Sequence, residues 1–224
     1  MALIQMSDVT KIYVSGKNIL TQALEGINLS VEPKDFIAIA GPSGSGKSSL
    51  LHLIGALDSP TRGRISYEGE DITAMNSDAL SNFRRQYIGF VFQSYNLINT
   101  LTALENVEYI MLLQKIPAQE RQRKAVEFLK RVGLNDYIHR FPNEMSGGQQ
   151  QRVAIARAIA SQPKVVLADE PTANLDSKTA ESLIDLMMEL NEQPGITFIF
   201  STHDPLIMKK AKSIIHLKDG KISQ

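Results

Sequence analysis

Apolar residues in this chain fall into two kinds of run. One kind is short and unbroken: Phe36-Ile37-Ala38-Ile39-Ala40, Ile88-Gly89-Phe90-Val91-Phe92, Val165-Val166-Leu167-Ala168 and Ile196-Thr197-Phe198-Ile199-Phe200. Runs of this length without polar alternation suit strands buried on both faces of a parallel sheet. The other kind recurs at three and four residues. Ala103 to Lys115 carries Leu104, Val107, Ile110, Met111 and Gln114 at helical spacing, and Pro117 interrupts it. Ala118 to Val132 sets Ala125, Val126, Phe128 and Leu129 opposite a face of Arg121, Arg123, Lys124, Lys130 and Arg131, with Gly133 as its stop. That basic run is most simply a solvated helix face. Shorter helices are expected over Ser49 to Ile54, Ser77 to Arg85 (capped by Asn76 or Ser77), Gln149 to Ala160, and Lys178 to Leu190, the last capped within Asn174-Leu175-Asp176-Ser177.

The N-terminal part alternates instead. Leu3 to Val14 and Ala23 to Val31 read as strands, with turn signals at Ser15-Gly16-Lys17-Asn18 and Glu32-Pro33-Lys34-Asp35. They predict a small antiparallel β-region. Arg64 to Gly69 returns as a strand with a turn behind it, after a loop at Asp58 to Gly63, and Ser213 to Leu217 closes the chain with a turn at Lys218-Asp219-Gly220 and then Lys221-Ile222. Buried strands alternating with helices give the α/β class with a mixed, mostly parallel sheet. Residues 94–140 contain no strand-like run and read as a helical insertion into that core.

Composition narrows the picture. The 224 residues are 43% hydrophobic, enough for a sizeable core. Lys plus Arg and Asp plus Glu are both 24, so bulk charge does not argue for nucleic-acid binding. Without cysteine there is no disulfide or thiolate metal site, which fits a reducing compartment. No apolar run approaches the roughly 18–20 residues that span a bilayer. Met1-Ala2-Leu3-Ile4-Gln5 lacks the charged and apolar regions of a signal peptide. The expectation is a cytoplasmic protein that meets a membrane only through a partner.

The chemistry is concentrated between these elements. Gly41-Pro42-Ser43-Gly44-Ser45-Gly46-Lys47-Ser48 fits G-x-x-x-x-G-K-[ST] and stands between a buried strand and a helix, the context a phosphate-binding loop requires. Glycines let the backbone curl around phosphate oxygens, and the N–H groups at the helix start point at the anion. Lys47 would meet the β- and γ-phosphates, and Ser48 would ligate Mg²⁺. Lys164 opens Val165-Val166-Leu167-Ala168-Asp169-Glu170, the Walker B pattern: a buried strand ending in a carboxylate for Mg²⁺, then a second carboxylate placed to orient water. Three signals are ambiguous on their own. Tyr13 could stack on a base or be an ordinary strand tyrosine. Gln93, just past a core strand, could face a ligand or solvent. Ser146-Gly147-Gly148 leads into a helix, which makes a second anion site or a plain N-cap. Of four histidines, His203 alone follows a core strand.

Taken in order, this constellation resembles the ATP-binding cassette ATPases over essentially the whole chain. The resemblance implies a P-loop NTPase core (residues 1–93 and 141–224, including the antiparallel β-region) with an inserted α-helical subdomain at about 94–140, forming one nucleotide-binding domain over 1–224. It implies that Tyr13 stacks on adenine. Gly41, Ser43, Gly44, Ser45, Gly46, Lys47, Ser48 and Ser49 would surround the phosphates. Gln93 would link the γ-phosphate and Mg²⁺ to the helical part, and Asp169 would hold Mg²⁺ with Ser48. Glu170 becomes the catalytic glutamate and His203 the switch histidine, with Lys47 and Gln93 also in the catalytic set. Ser146-Gly147-Gly148-Gln149 matches the signature sequence, which acts on the ATP of a partner copy. Ala173-Asn174-Leu175-Asp176 resembles the D-loop, where the family often has Gly at the position of Ala173. Two copies would therefore pair head to tail around two ATP.

The stretches Leu53 to Thr61, Ile88 to Gln93, Leu101 to Val107 and Leu167 to Thr172 are similar to the group that includes the lipoprotein-release and macrolide-export ATPases. Ending soon after the last strand, the chain is expected to lack an appended regulatory domain. Membership implies a peripheral place on the cytoplasmic face of the inner membrane. It also implies an integral-membrane permease docking near Gln93 to Asn106, and cargo that the chain does not touch. The alternatives are a regulatory ATPase signalling through a membrane partner to a cell-wall hydrolase, and a soluble P-loop ATPase or kinase. A kinase would not need the Ser146 sequence.

Overall fold

The computed structural model describes residues 1–15 and 19–223. The turn signal at Gly16 to Asn18 lies outside the described residues. Strands β1 (Ile4–Ser15) and β2 (Ile19–Val31) pair antiparallel, with Ile4 opposite Val31 and Tyr13 opposite Thr21. The register shifts between Met6 and Val9, where Asp8 sits at φ 50° and donates its N–H to Asn28 Oδ1 at 3.0 Å. Such bulges increase twist and bend the ribbon. Then come β3 (Phe36–Ala40), α1 (Lys47–Ile54), β4 (Arg62–Tyr67), β5 (Glu70–Asp71), α2 (Ser77–Tyr87) and β6 (Ile88–Val91). The helices α3 (Ala103–Leu113), α4 (Ala118–Arg131) and α5 (Gly147–Ala160) follow without an intervening strand, and β7 (Val165–Asp169), α6 (Ser177–Glu192), β8 (Thr197–Ser201), α7 (Pro205–Lys210), β9 (Ser213–Lys218) and β10 (Lys221–Ser223) complete the chain.

Two sheets result. The smaller runs β2-β1-β4-β5 and is antiparallel. The larger runs β10-β9-β3-β8-β7-β6, parallel except where β10 turns back on β9. The unbroken apolar runs are explained by this sheet. Ile37, Ile39, Val165, Leu167 and Ile199 project to one side, against the small sheet and α1. Ala38, Val166, Ala168, Phe198 and Phe200 project to the other, against α3 to α6. With both faces covered, neither set of side chains can be polar. The strand ends at Ala40, Val91, Asp169 and Ser201 therefore converge on one edge of a layer that is closed above and below.

Differences from the expected elements are local. The α7 helix was not anticipated, because six residues carry too little periodicity to register. Its start signal is nonetheless present: Asp204 accepts the Leu206 N–H at 2.8 Å and Pro205 stands at the first helical position. Asn76, rather than Ser77, caps α2. The loop between α4 and α5 holds short 3₁₀ turns at Asn135–Tyr137 and Pro142–Glu144.

Candidate functional site

The loop leaving β3 is shaped by contacts that only glycine permits. A Cβ on Gly41 would lie 2.1 Å from the Leu217 carbonyl oxygen and 2.7 Å from Ser45 Oγ. Gly46 has φ 103° and caps α1 with no side-chain hydrogen bond, so the first N–H groups of that helix have no side-chain cap. Ser43 and Gly44 are exposed, whereas Ser45 is 2% exposed and its hydroxyl has no partner. Lys47 folds over the same hollow, donating from Nζ to the Gly41 and Pro42 carbonyls at 2.8 and 3.0 Å. A cation parked on its own loop, beside free helix N–H groups, describes a cradle built for a large anion.

Across the strand ends, Ser48 Oγ donates to Asp169 Oδ1 at 3.3 Å. A hydroxyl and a carboxylate are hard oxygen ligands of the kind Mg²⁺ takes. Among the described residues there is no cluster of three His, Cys, Asp or Glu side chains able to hold a metal by itself. That fits an ion that completes its shell with phosphate oxygens and water, so the donor set suits magnesium bound with a nucleotide.

Glu170 is the first residue beyond β7 and sits at φ 45°, a region that costs a residue with a side chain free energy. The Ser201 carbonyl holds this geometry by accepting the Glu170 N–H at 2.8 Å. The carboxylate is thereby aimed at His203, whose Nδ1 lies 2.8 Å from Oε1. The Glu170 side chain is 17% exposed and that of His203 is 75% exposed, so the pair presents one covered and one open member. Thr172 Oγ1 donates to Asp204 Oδ2 at 2.6 Å, tying the two segments that carry Glu170 and His203.

Gln93 is exposed just past β6, and its carbonyl accepts Asn174 Nδ2 at 3.0 Å. Tyr95 and Asn96 follow at φ 60° and 49°, and Arg157 on α5 donates to both of their carbonyls, at 2.9 and 2.5 Å. Ser146 caps α5 in a closed capping box: its Oγ accepts the Gln149 N–H at 3.3 Å, and Gln149 Oε1 accepts the Ser146 N–H at 2.8 Å. A Cβ on Gly147 would meet Tyr95 Oη at 2.6 Å, and one on Gly148 would meet Thr179 Cγ2 at 2.5 Å. These glycines let α5 start in close contact with the Gln93 loop and with α6. Tyr13, near the end of β1, donates to Asp58 Oδ2 at 3.1 Å, with Ser49 Oγ at 3.5 Å.

The structure thus brings Lys47, Ser48, Asp169, Glu170 and His203 to one edge of the sheet. Tyr13 adjoins Ser49 of α1. Ser146 to Gln149 share no hydrogen bond with any of these among the described residues. Sequence reading passed over Gln151 and Arg157. Gln151 is fully buried and donates to the Pro171 carbonyl at 2.8 Å, fixing the segment just after Glu170. Both act on backbone carbonyls, which leave no mark in a sequence; a polar residue on the buried side of α5 was the only available signal.

A family model described as ABC transporter matches residues 24–173. A second, described as AAA domain, putative AbiEii toxin, Type IV TA system, matches residues 141–209. The lipoprotein-releasing system ATP-binding protein LolD of Anaeromyxobacter dehalogenans is 46% identical over 98% of this chain and 92% of its own length. The macrolide export ATP-binding/permease protein MacB of Hyphomonas neptunium is 44% identical over 98% of this chain and 34% of its own length. Among solved structures, the cassette MJ0796 of Methanocaldococcus jannaschii, seen as a post-hydrolysis dimer with ADP and phosphate, superposes with a TM-score of 0.91. It shares 44% identity over 99% of this chain and 97% of that one.

Proposed function

The chain belongs to the ABC transporter family of ATP-binding proteins, and from that premise we propose that it is the ATP-hydrolysing subunit of a membrane transporter whose permease is of the lipoprotein-releasing or macrolide-exporting kind. The observation that carries this reading is the presence of two glycine-bearing helix starts in one chain, at Gly46 on α1 and at Ser146 on α5, which share no hydrogen bond among the described residues and which we read as two phosphate sites. One ATP needs both, so the Ser146 segment of one copy closes over the Gly41–Ser48 loop of another. The dimeric state of the MJ0796 cassette supports this arrangement.

Within the pair, Gly41, Ser43, Gly44, Ser45 and Gly46 receive the phosphates with their backbone, and Ser45 gains a partner for its buried hydroxyl. Lys47 exchanges two carbonyls for phosphate oxygens. Ser48, Asp169 and Gln93 would hold Mg²⁺, which would supply positive charge to offset that of the phosphates. Glu170 orients the attacking water and takes up its proton. His203 steadies the Glu170 carboxylate and reaches the γ-phosphate from its exposed position. Tyr13 stacks on the base. Ser146, Gly147, Gly148 and Gln149 serve the partner's ATP. Residues 1–93 and 141–224 form the nucleotide-holding body, and about 94–140 the helical arm that moves with the permease.

No helix among the described residues is long and apolar enough to cross a membrane. The proposed place is peripheral, on the cytoplasmic face of the inner membrane, through the permease. The docking surface proposed near Gln93 to Asn106 extends to Leu113. Leu97 is packed against the buried core, but Phe90, Phe92, Asn96, Tyr109 and Leu113 line an open, mostly apolar groove of about 280 Å³. Tyr109→Asp with Leu113→Asp should abolish co-purification with the permease while leaving the melting temperature of the isolated chain within a few degrees. Undiminished co-purification would count against this surface.

A further inference from the structure

Around Tyr13 the chain has built more than stacking alone needs. Lys11 Nζ lies 4.9 Å from the centre of the Tyr13 ring, so a cation covers one face, while the residue as a whole stays 37% exposed. The same ammonium pairs with Asp58 Oδ1 at 2.6 Å and donates to the Ser59 carbonyl at 2.8 Å, with only 12% of its side chain exposed. Asp58 receives the Ser59 N–H on Oδ1 at 2.7 Å and the Tyr13 hydroxyl on Oδ2 at 3.1 Å. One carboxylate therefore fixes the tip of the ring and the cation behind it. Attachment of the 58–61 loop to β1 does not depend on Asp58. The Thr61 N–H donates to the Thr10 carbonyl at 2.8 Å, and Thr61 Oγ1 accepts the Ile12 N–H at 3.0 Å.

We infer that Asp58 is a positioning residue for nucleotide binding, holding Tyr13 and Lys11 so that the ring face opposite Lys11 is set for the base before the nucleotide arrives. The inference rests on the reading that Tyr13 stacks on the base. A ring already fixed loses less side-chain freedom when it stacks, and that saving appears as affinity. The carboxylate shares no hydrogen bond or ion pair with Lys47, Ser48, Asp169, Glu170 or His203 among the described residues, so it acts on binding of the base and not on hydrolysis.

The test compares MgADP with magnesium pyrophosphate, which lacks the base, by calorimetric titration of the full chain. Asp58→Ala should weaken MgADP by about three- to tenfold and leave pyrophosphate unchanged. In hydrolysis it should raise KM for ATP with kcat unaltered. Tyr13→Phe keeps the ring and removes only the hydroxyl; it should weaken MgADP by a smaller factor, and adding it to Asp58→Ala should bring no further loss. Equal weakening of both ligands by Asp58→Ala, or losses that simply multiply in the double variant, would overturn the inference. Tyr13→Ala separates the two levels. If it leaves the ratio of the two affinities unaltered, the stacking reading fails and takes the inference with it. If it lowers the ratio while Asp58→Ala does not, the positioning role alone is wrong. Tyr13→Phe, altered at a single exposed atom, keeps the question open to measurement should Asp58→Ala fold poorly.

Discussion

Glu170 is where a single residue's conformation and its chemistry meet. Its left-handed backbone is held by the Ser201 carbonyl, and its side chain by His203. Glutamine at this position keeps the shape and removes the base. Glu170→Gln should therefore bind ATP as the parent does while hydrolysis falls by about 10²–10⁴-fold, the range for loss of a general base; steady-state phosphate release and an equilibrium binding assay read the two separately. Gly41 makes the complementary case, in which geometry alone decides. The Cβ of Gly41→Ala would lie 2.1 Å from the Leu217 backbone, which cannot step aside as a flexible side chain would. The variant should lose about 1–3 kcal/mol in denaturant unfolding, the usual cost of overpacking, together with nucleotide binding. At this scale the sequence was most legible for residues whose type is dictated by phosphate chemistry, such as Lys47, Ser48 and Asp169. It was silent on Gln151 and Arg157, whose partners are carbonyls of segments 20 and 62 residues away.

Elements place these residues, and polar groups buried between elements hold the placement. Asn106 on α3 is fully buried, accepts the Ile98 N–H at 2.8 Å, and donates to the carbonyls of Ile98, Leu101 and Thr102 at 3.0–3.1 Å. It folds the segment after Gln93 onto the helix that follows. Asn106→Ala strands several of these groups, at about 1–3 kcal/mol for each buried one that finds no water. We expect a loss of roughly 2–4 kcal/mol in urea unfolding on that basis, with hydrogen exchange quickened first at residues 97–102. Asp58 adds side-chain contacts to Lys11 and Tyr13 of β1, beside the Thr61 bonds that attach the loop after α1. Its partial burial pushes the carboxyl pKa up, but the Lys11 ammonium, the Ser59 N–H and the Tyr13 hydroxyl outweigh burial and hold it below the ordinary 3.8. A depressed carboxyl pKa contributes stability above the unfolded value and loses it as pH falls through the folded one. Asp58→Asn should therefore be less stable than the parent at neutral pH, and that gap should narrow below about pH 4; melting temperatures across pH 2–7 would reveal it. Helices with ten or more residues of regular spacing were legible as elements. The α7 helix was too short for periodicity, although its Asp204-Pro205 start was readable in retrospect.

For the whole molecule, the sheet order explains why function was easier to read than local detail. The unbroken apolar runs demand a layer covered on both faces, and such a layer gathers its strand ends on one edge. Asp169, Glu170 and His203 stand at or just past those ends and Lys47 opens the helix that follows another, so their convergence followed from strand order. The trans role proposed for Ser146 could not be derived from one chain's packing, because the partner surface it would serve belongs to another copy. From its own residues it was legible as a second anion site or a plain N-cap, and the role toward a partner copy came only from the family resemblance; a dimer would account for the surplus helix start.

The most direct test is the mass of Glu170→Gln in solution, by size-exclusion chromatography with light scattering, with and without saturating MgATP. The account predicts a monomer without nucleotide and a stable dimer with ATP, reverting to monomer when Ser146→Glu places a like charge against the partner's phosphates. A monomer of Glu170→Gln under saturating ATP, or a dimer indifferent to both nucleotide and Ser146, would contradict the sandwich on which the proposed function stands.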